Sequence, residues 1–203
     1  MAGAVKLRTS SSLNHFLDTN VLLQHANSDS GDCSADIATI LAEAAGNSPK
    51  RKLWVSSAIF AELRPSAFVP GKFDNIDGLV RYIRSIATVV TPDPNAMLRA
   101  ARLRDLKWAR AQRQQNELSR CMTLGDAMHI VSALWVKEAD SVADLEFLTF
   151  DNSADKSIET DPKTKALPLL SLDDGRVPDG GVAPEGHHDA GLAGLVRRPR
   201  LAG

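Results

Sequence analysis

Cysteine is nearly missing from this chain: Cys33 and Cys121 are the whole supply, far apart and without C-x-x-C spacing. That argues against a disulfide scaffold and fits a reduced, intracellular protein, so a cytoplasmic location is expected. No Cys or His cluster stands at zinc-ligand spacing. No run of about 18 apolar residues occurs, and residues 1–12 are polar and basic without the apolar segment of a secretory signal. Neither secretion by such a signal nor a membrane span is expected. An excess of one charge is lacking too: 24 Lys and Arg against 25 Asp and Glu leave a net charge of -1, so any attraction to nucleic acid has to be local. There is no P-loop, which removes nucleotide-driven motors. No Ser-His-Asp or Cys-His arrangement is visible, so a covalent intermediate is not expected.

The remaining composition is that of an ordinary globular domain. With 203 residues, 43% of them hydrophobic, the chain is long enough for one core. Apolar runs alternate with helical patterns, as in βαβ units around a mostly parallel sheet. A strand over Asn14–Leu17 leads into a helix beginning near Thr19. Ile37, Ile40, Leu41 and Ala44 share one helical face over 36–45, ended by Gly46. Lys52–Ser56 reads as the next strand, followed by a short helix that Pro65 stops. Ile76–Ile86 reads as a helix, 87–91 as a strand, 94–120 as a long helix, and a further helix starts at Thr123. Strands are expected at 145–150 and 167–172. From Asp173 to Gly203 the composition shifts to Gly, Pro and charge, with the pairs His187-His188 and Arg197-Arg198, and disorder is expected.

Acids sit where these apolar runs stop. Asp18 ends the first strand, Asp151 follows Phe147-Leu148-Thr149-Phe150, and Glu62 and Asp126 lie in helices that should begin at the carboxyl edge of the sheet. Each has an ordinary explanation alone. Asp18 could cap the following helix, Thr123-x-x-Asp126 could be a capping box, Glu62 could be solvated, and Asp151-Asn152 could be a turn. Together, however, they converge on the strand ends where ligands of open α/β sheets bind. Carboxylates so gathered repel one another unless a cation neutralises them, and oxygen donors select Mg²⁺ or Mn²⁺.

In the contexts Leu17-Asp18-Thr19-Asn20, Ala61-Glu62-Leu63, Gly125-Asp126-Ala127-Met128-His129-Ile130 and Leu148-Thr149-Phe150-Asp151, the chain resembles PIN-domain ribonucleases, especially VapC-type toxins of toxin-antitoxin pairs. The resemblance spans residues 13–172. It implies a three-layer α/β/α sandwich around a mostly parallel sheet and metal-dependent cleavage of RNA phosphodiesters. It also implies that Asp18, Glu62, Asp126 and Asp151 hold the metal, with Thr19 or Asn20 assisting the first, and that an antitoxin and a second copy of the chain are partners. The interval from Glu62 to Asp126 is long for a minimal toxin of this kind. His129, one turn after Asp126, is placed either to touch the site or, the more ordinary reading, to serve as a hydrogen-bonded structural histidine. Arg99, Arg102, Arg104, Lys107, Arg110, Arg113 and Arg120, opposed only by Asp105 and Glu117, form either a footprint for phosphate or a solvated helix face. Two other classes remain. A PIN-like RNA- or protein-binding module would be expected to lose an acid, and a phosphoryl hydrolase with an Asp18 nucleophile lacks its second carboxylate because Asn20 stands there.

Overall fold

The computed structural model describes residues 13–27, 35–105, 120–151, 157–158, 161–167, 169 and 196–197. In chain order the elements are β1 (Asn14–Leu17), α1 (Thr19–Asn27), α2 (Ala35–Ala44), β2 (Lys52–Ser56), α3 (Ile59–Glu62), a 3₁₀ turn (Pro65–Ala67), α4 (Ile76–Ile86), β3 (Thr88–Val90), α5 (Pro94–Asp105), β4 (Arg120–Cys121), α6 (Leu124–Ala139), β5 (Glu146–Leu148), β6 (Ser157–Ile158), β7 (Asp161–Ala166) and β8 (Val196–Arg197). The main sheet has the order β3-β2-β1-β5-β8 and every pairing in it is parallel.

Strand periodicity builds the layers. Successive side chains of a strand point to opposite faces. On one face Phe16, Trp54 and Phe147 join Ala100 of α5 and Ile130 and Leu134 of α6. On the other, Leu17, Leu53, Val55 and Leu148 join Val21 and Leu22 of α1, Ile37 and Leu41 of α2, and Leu79 and Ile83 of α4. This is the expected α/β/α sandwich. Phe16, Leu17, Phe147 and Leu148 are among its largest fully buried side chains, each contributing about 1.5–3 kcal/mol relative to exposure. Gly46 ends α2 with a φ of 99°, a conformation that favours glycine.

The chain runs outward from β1 through β2 to β3, then returns to the other side of β1 with β5. The strand order therefore reverses between β1 and β5, and in open α/β sheets the ligand crevice opens at the carboxyl ends of such a switch point. Asp18 leaves β1 there, with its amide donating to the Leu148 carbonyl at 3.1 Å.

Several expectations change. The helix expected over 94–120 does not reach its end, because Arg120–Cys121 is a strand; residues 106–119, with Lys107, Arg110 and Arg113, lie outside the described residues. Of the strand expected at 167–172 only Leu167 and Leu169 are among the described residues, and neither is in a strand; Asp161–Ala166, where none was expected, is a strand of a small second sheet of order β4-β7-β6. Of the stretch 173–203, only Val196–Arg197 is described, and it runs parallel to β5 at the sheet margin. Among the described residues no helix is long and apolar enough to cross a membrane.

Candidate metal centre

Asp18 is built into a cage of donors. Its Oδ1 accepts from the Thr19 amide at 2.7 Å, and its Oδ2 accepts from the Asn20 side-chain amide at 2.7 Å and the Thr149 hydroxyl at 2.6 Å. Asn20 also donates to Thr149 Oγ1 at 3.0 Å and accepts from the Phe150 amide at 2.9 Å, tying the end of β1 to the end of β5. Asp18 as a whole is 4% exposed. Burial raises its pKa above the ordinary carboxylate value, against the opposing pull of the His129 charge and the Thr149 hydrogen bond.

Glu62 reaches the same spot from the end of α3. Its Oε2 accepts from the Thr19 hydroxyl and lies 2.9 Å from His129 Nε2. Burial raises its pKa, but the His129 hydrogen bond and charge and the Thr19 hydroxyl more than offset that, so the net shift is downward. His129 Nε2 is also 3.1 Å from Thr19 Oγ1 and 4.0 Å from Asp18 Oδ1. Burial alone would lower the imidazole pKa, but Glu62, Asp18 and Asp126 raise it. The other ring nitrogen, Nδ1, is buried and has no hydrogen-bond partner among the described residues.

Asp126 stands at the start of α6. Thr123 is the N-cap of α6, its hydroxyl oxygen accepting from the Asp126 amide at 3.2 Å, and the same hydroxyl donates to Asp126 Oδ2 at 2.6 Å. Yet burial, with the charges of Asp18, Asp151 and Glu62, pushes the Asp126 carboxyl up to about 7 against that hydrogen bond. Asp151 lies across the crevice, where its Oδ2 accepts from the Leu169 amide at 3.1 Å and its own amide donates to Thr149 Oγ1 at 2.9 Å.

The four acids of the sequence thus gather at one edge, but the tightest group is different from the quartet. Asp18, Glu62 and His129 offer one ligand atom each, all within 4.8 Å of one another, and could hold a metal ion. Ligands on opposite sides of a hard cation with bonds of about 2.1–2.3 Å are separated by comparable distances. Their chemistry fits a divalent cation: Asp18, Glu62 and Asp126 are opposed by His129 as the sole basic group among the causes of their shifts. The imidazole changes the all-oxygen donor set expected from sequence, because a mixed N,O set is less selective for Mg²⁺. Of the two sequence readings of His129, the structure bears out contact with the site: at i+3 from Asp126 it shares that residue's helical face, and its Nε2 lies beside Glu62. Thr149 carried no signal beyond its place at a strand end. No family model, curated protein or solved structure matches this chain.

Proposed function

We propose that the protein is a metal-dependent endoribonuclease of PIN type, hydrolysing RNA phosphodiester bonds in the cytoplasm as the toxin of a toxin-antitoxin pair. The observation that carries this reading is the gathering of Asp18, Glu62, His129, Asp126 and Asp151 at the switch point of a parallel sheet. Mg²⁺ or Mn²⁺ bound there supplies a water of lowered pKa and relieves charge on the phosphate oxygens. Asp18 is the anchoring ligand, fixed by Thr19, Asn20 and Thr149. Glu62 and His129 complete the set, and Thr19 orients Glu62. Asp126 adds a further carboxylate beside the set; without a cation its neighbours' charges and burial push it up, and a bound cation would relieve that charge. A cognate antitoxin and a homodimer belong to the same reading.

One observation favours a second reading, a PIN-like RNA- or protein-binding module with little catalysis. The Thr19, Glu62 and His129 side chains satisfy one another without a cation. Purified protein incubated with single-stranded RNA and Mn²⁺ separates the two. The nuclease is expected to cut, to stop on chelation, and to lose roughly 100-fold or more of its rate in Glu62→Gln, as when an electrostatic contact to the reacting centre is removed. Full cleavage by Glu62→Gln would overturn the mechanism. RNA binding with neither cleavage nor a Mn²⁺ response would establish the module.

A further inference from the structure

Gly125, the second residue of α6, has no backbone reason to be glycine. Gly46 is the one described glycine with a positive φ. In the helix interior or first turn, glycine is a weaker choice than alanine. What distinguishes Gly125 is the space beside it. A Cβ placed there would stand 1.8 Å from Glu62 Oε1 and 3.0 Å from Glu62 Cδ. Gly78, in the first turn of α4, makes the contrast, because a Cβ there would meet nothing closer than 3.6 Å. The Glu62 carboxylate therefore occupies the volume that any other residue at 125 would fill, while its Oε2 is engaged by Thr19 and His129. The location suits an anion, since the first turn of a helix carries the positive end of its dipole.

We propose that Gly125 is a positioning residue: its missing side chain seats Glu62 in the metal centre, and any larger residue evicts the carboxylate without disturbing the fold. This rests on the metal reading of the site. The contacted atoms are the far end of a movable side chain. The backbone stays put and Glu62 swings away from His129.

Titration calorimetry with Mn²⁺, together with melting curves with and without Mn²⁺, tests this on four proteins: wild type, Gly125→Ala, Glu62→Asp, and the double variant. Metal-free Gly125→Ala is expected to melt at or above the wild-type temperature, because alanine suits a helix better. Its Mn²⁺ affinity is expected to fall about 10- to 100-fold, the usual cost of misplacing a ligand through its supporting contacts. Aspartate at 62 puts its carboxyl carbon where Glu62 Cγ now stands, 3.9 Å from the added methyl. Gly125→Ala should then cost much less in the Glu62→Asp background than in the wild type. Unchanged Mn²⁺ affinity in Gly125→Ala would overturn the inference, as would an equal loss in both backgrounds, because the effect would then not pass through Glu62. A Gly125→Ala protein that does not fold would overturn it as well. A wild type without any Mn²⁺ response would bring down the metal reading itself, a result distinct from the others.

Discussion

The two edges of one sheet handle charge in opposite ways. At the amino edge, buried His15 has its Nε2 2.9 Å from Arg51 and its Nδ1 3.9 Å from Glu146. Arg51 also binds Glu43, and the Asn14 side-chain amide donates to Asp144 Oδ1 at 2.7 Å. The Arg51 hydrogen bond and charge hold the Glu43 carboxyl below its ordinary value. At the carboxyl edge, Asp18 and Asp126 are pushed up instead, and His129 is the counter-charge that faces the cluster. Among the described residues, one edge closes its own charge, while the other is left short of positive charge and could hold a cation.

The sharpest way to break this contrast is to neutralise Asp126. Its folded pKa of about 7 stands above the ordinary 3.8, so the folded state holds its proton more tightly than the unfolded chain. Stability from this group is complete below pH 3.8 and is lost as pH rises toward 7. Metal-free Asp126→Asn should therefore gain on wild type by a growing margin over that window, reaching a few kcal/mol. Saturating Mn²⁺ should narrow that margin, since a ligand at a hundredfold excess over Kd stabilises the folded state by about 2.7 kcal/mol and the variant, short of one negative charge beside the cation, should gain less than wild type. Urea melts at several pH values give both numbers. His25, held down to about 4 by burial and by Lys72, loses stability as pH falls from 6.5, so the difference between the two proteins is the quantity to compare. A difference that is flat with pH would reduce Asp126 to a capping residue.

A smaller effect is expected at the other edge. Arg51→Met leaves Glu43 and His15 without their shared guanidinium contact, and should lower the melting temperature by the same amount with and without Mn²⁺. A Mn²⁺-dependent change would mean that the edges are coupled. The smallest effect concerns the basic helix. Arg99 is held by Glu138 through two bonds of 3.0 and 3.1 Å, whereas Arg102 is exposed. In RNA-binding titrations against salt, Arg102→Gln should reduce the slope by about one and Arg99→Gln by less. Equal slopes for Arg102→Gln and wild type would leave α5 as a solvated face.

Strong local signals were readable from sequence. β2 and α4 fall where their periodicity and flanking residues put them, and Thr123 caps α6 as its spacing with Asp126 indicated. The small sheet was not readable, because Asp161–Ala166 reads Asp-Pro-Lys-Thr-Lys-Ala and shows no apolar alternation. The helix pattern from Pro94 overruns into β4 because helix-forming residues continue to Arg120 without Gly or Pro to stop them. At the site, carboxylates announced themselves by ending apolar runs. Imidazole placement depends on which way α6 rolls against β2 and α3, and that is set by tertiary packing.

The pairing of β1 with β5 fixes when the site can exist. Phe16 pairs with Phe147, and Asp18 is held by Leu148 and Thr149 from a segment about 130 residues downstream. Contacts of that separation close late, after the entropy of a long loop has been overcome. On the ribosome Asp18 emerges ahead of α6 and β5 and waits for them before its surroundings are complete. A chain broken off between α6 and β5 carries Asp18, Glu62, Asp126 and His129 in its sequence and lacks the strand that assembles them, so the acid edge is silent in every copy that stops short of β5.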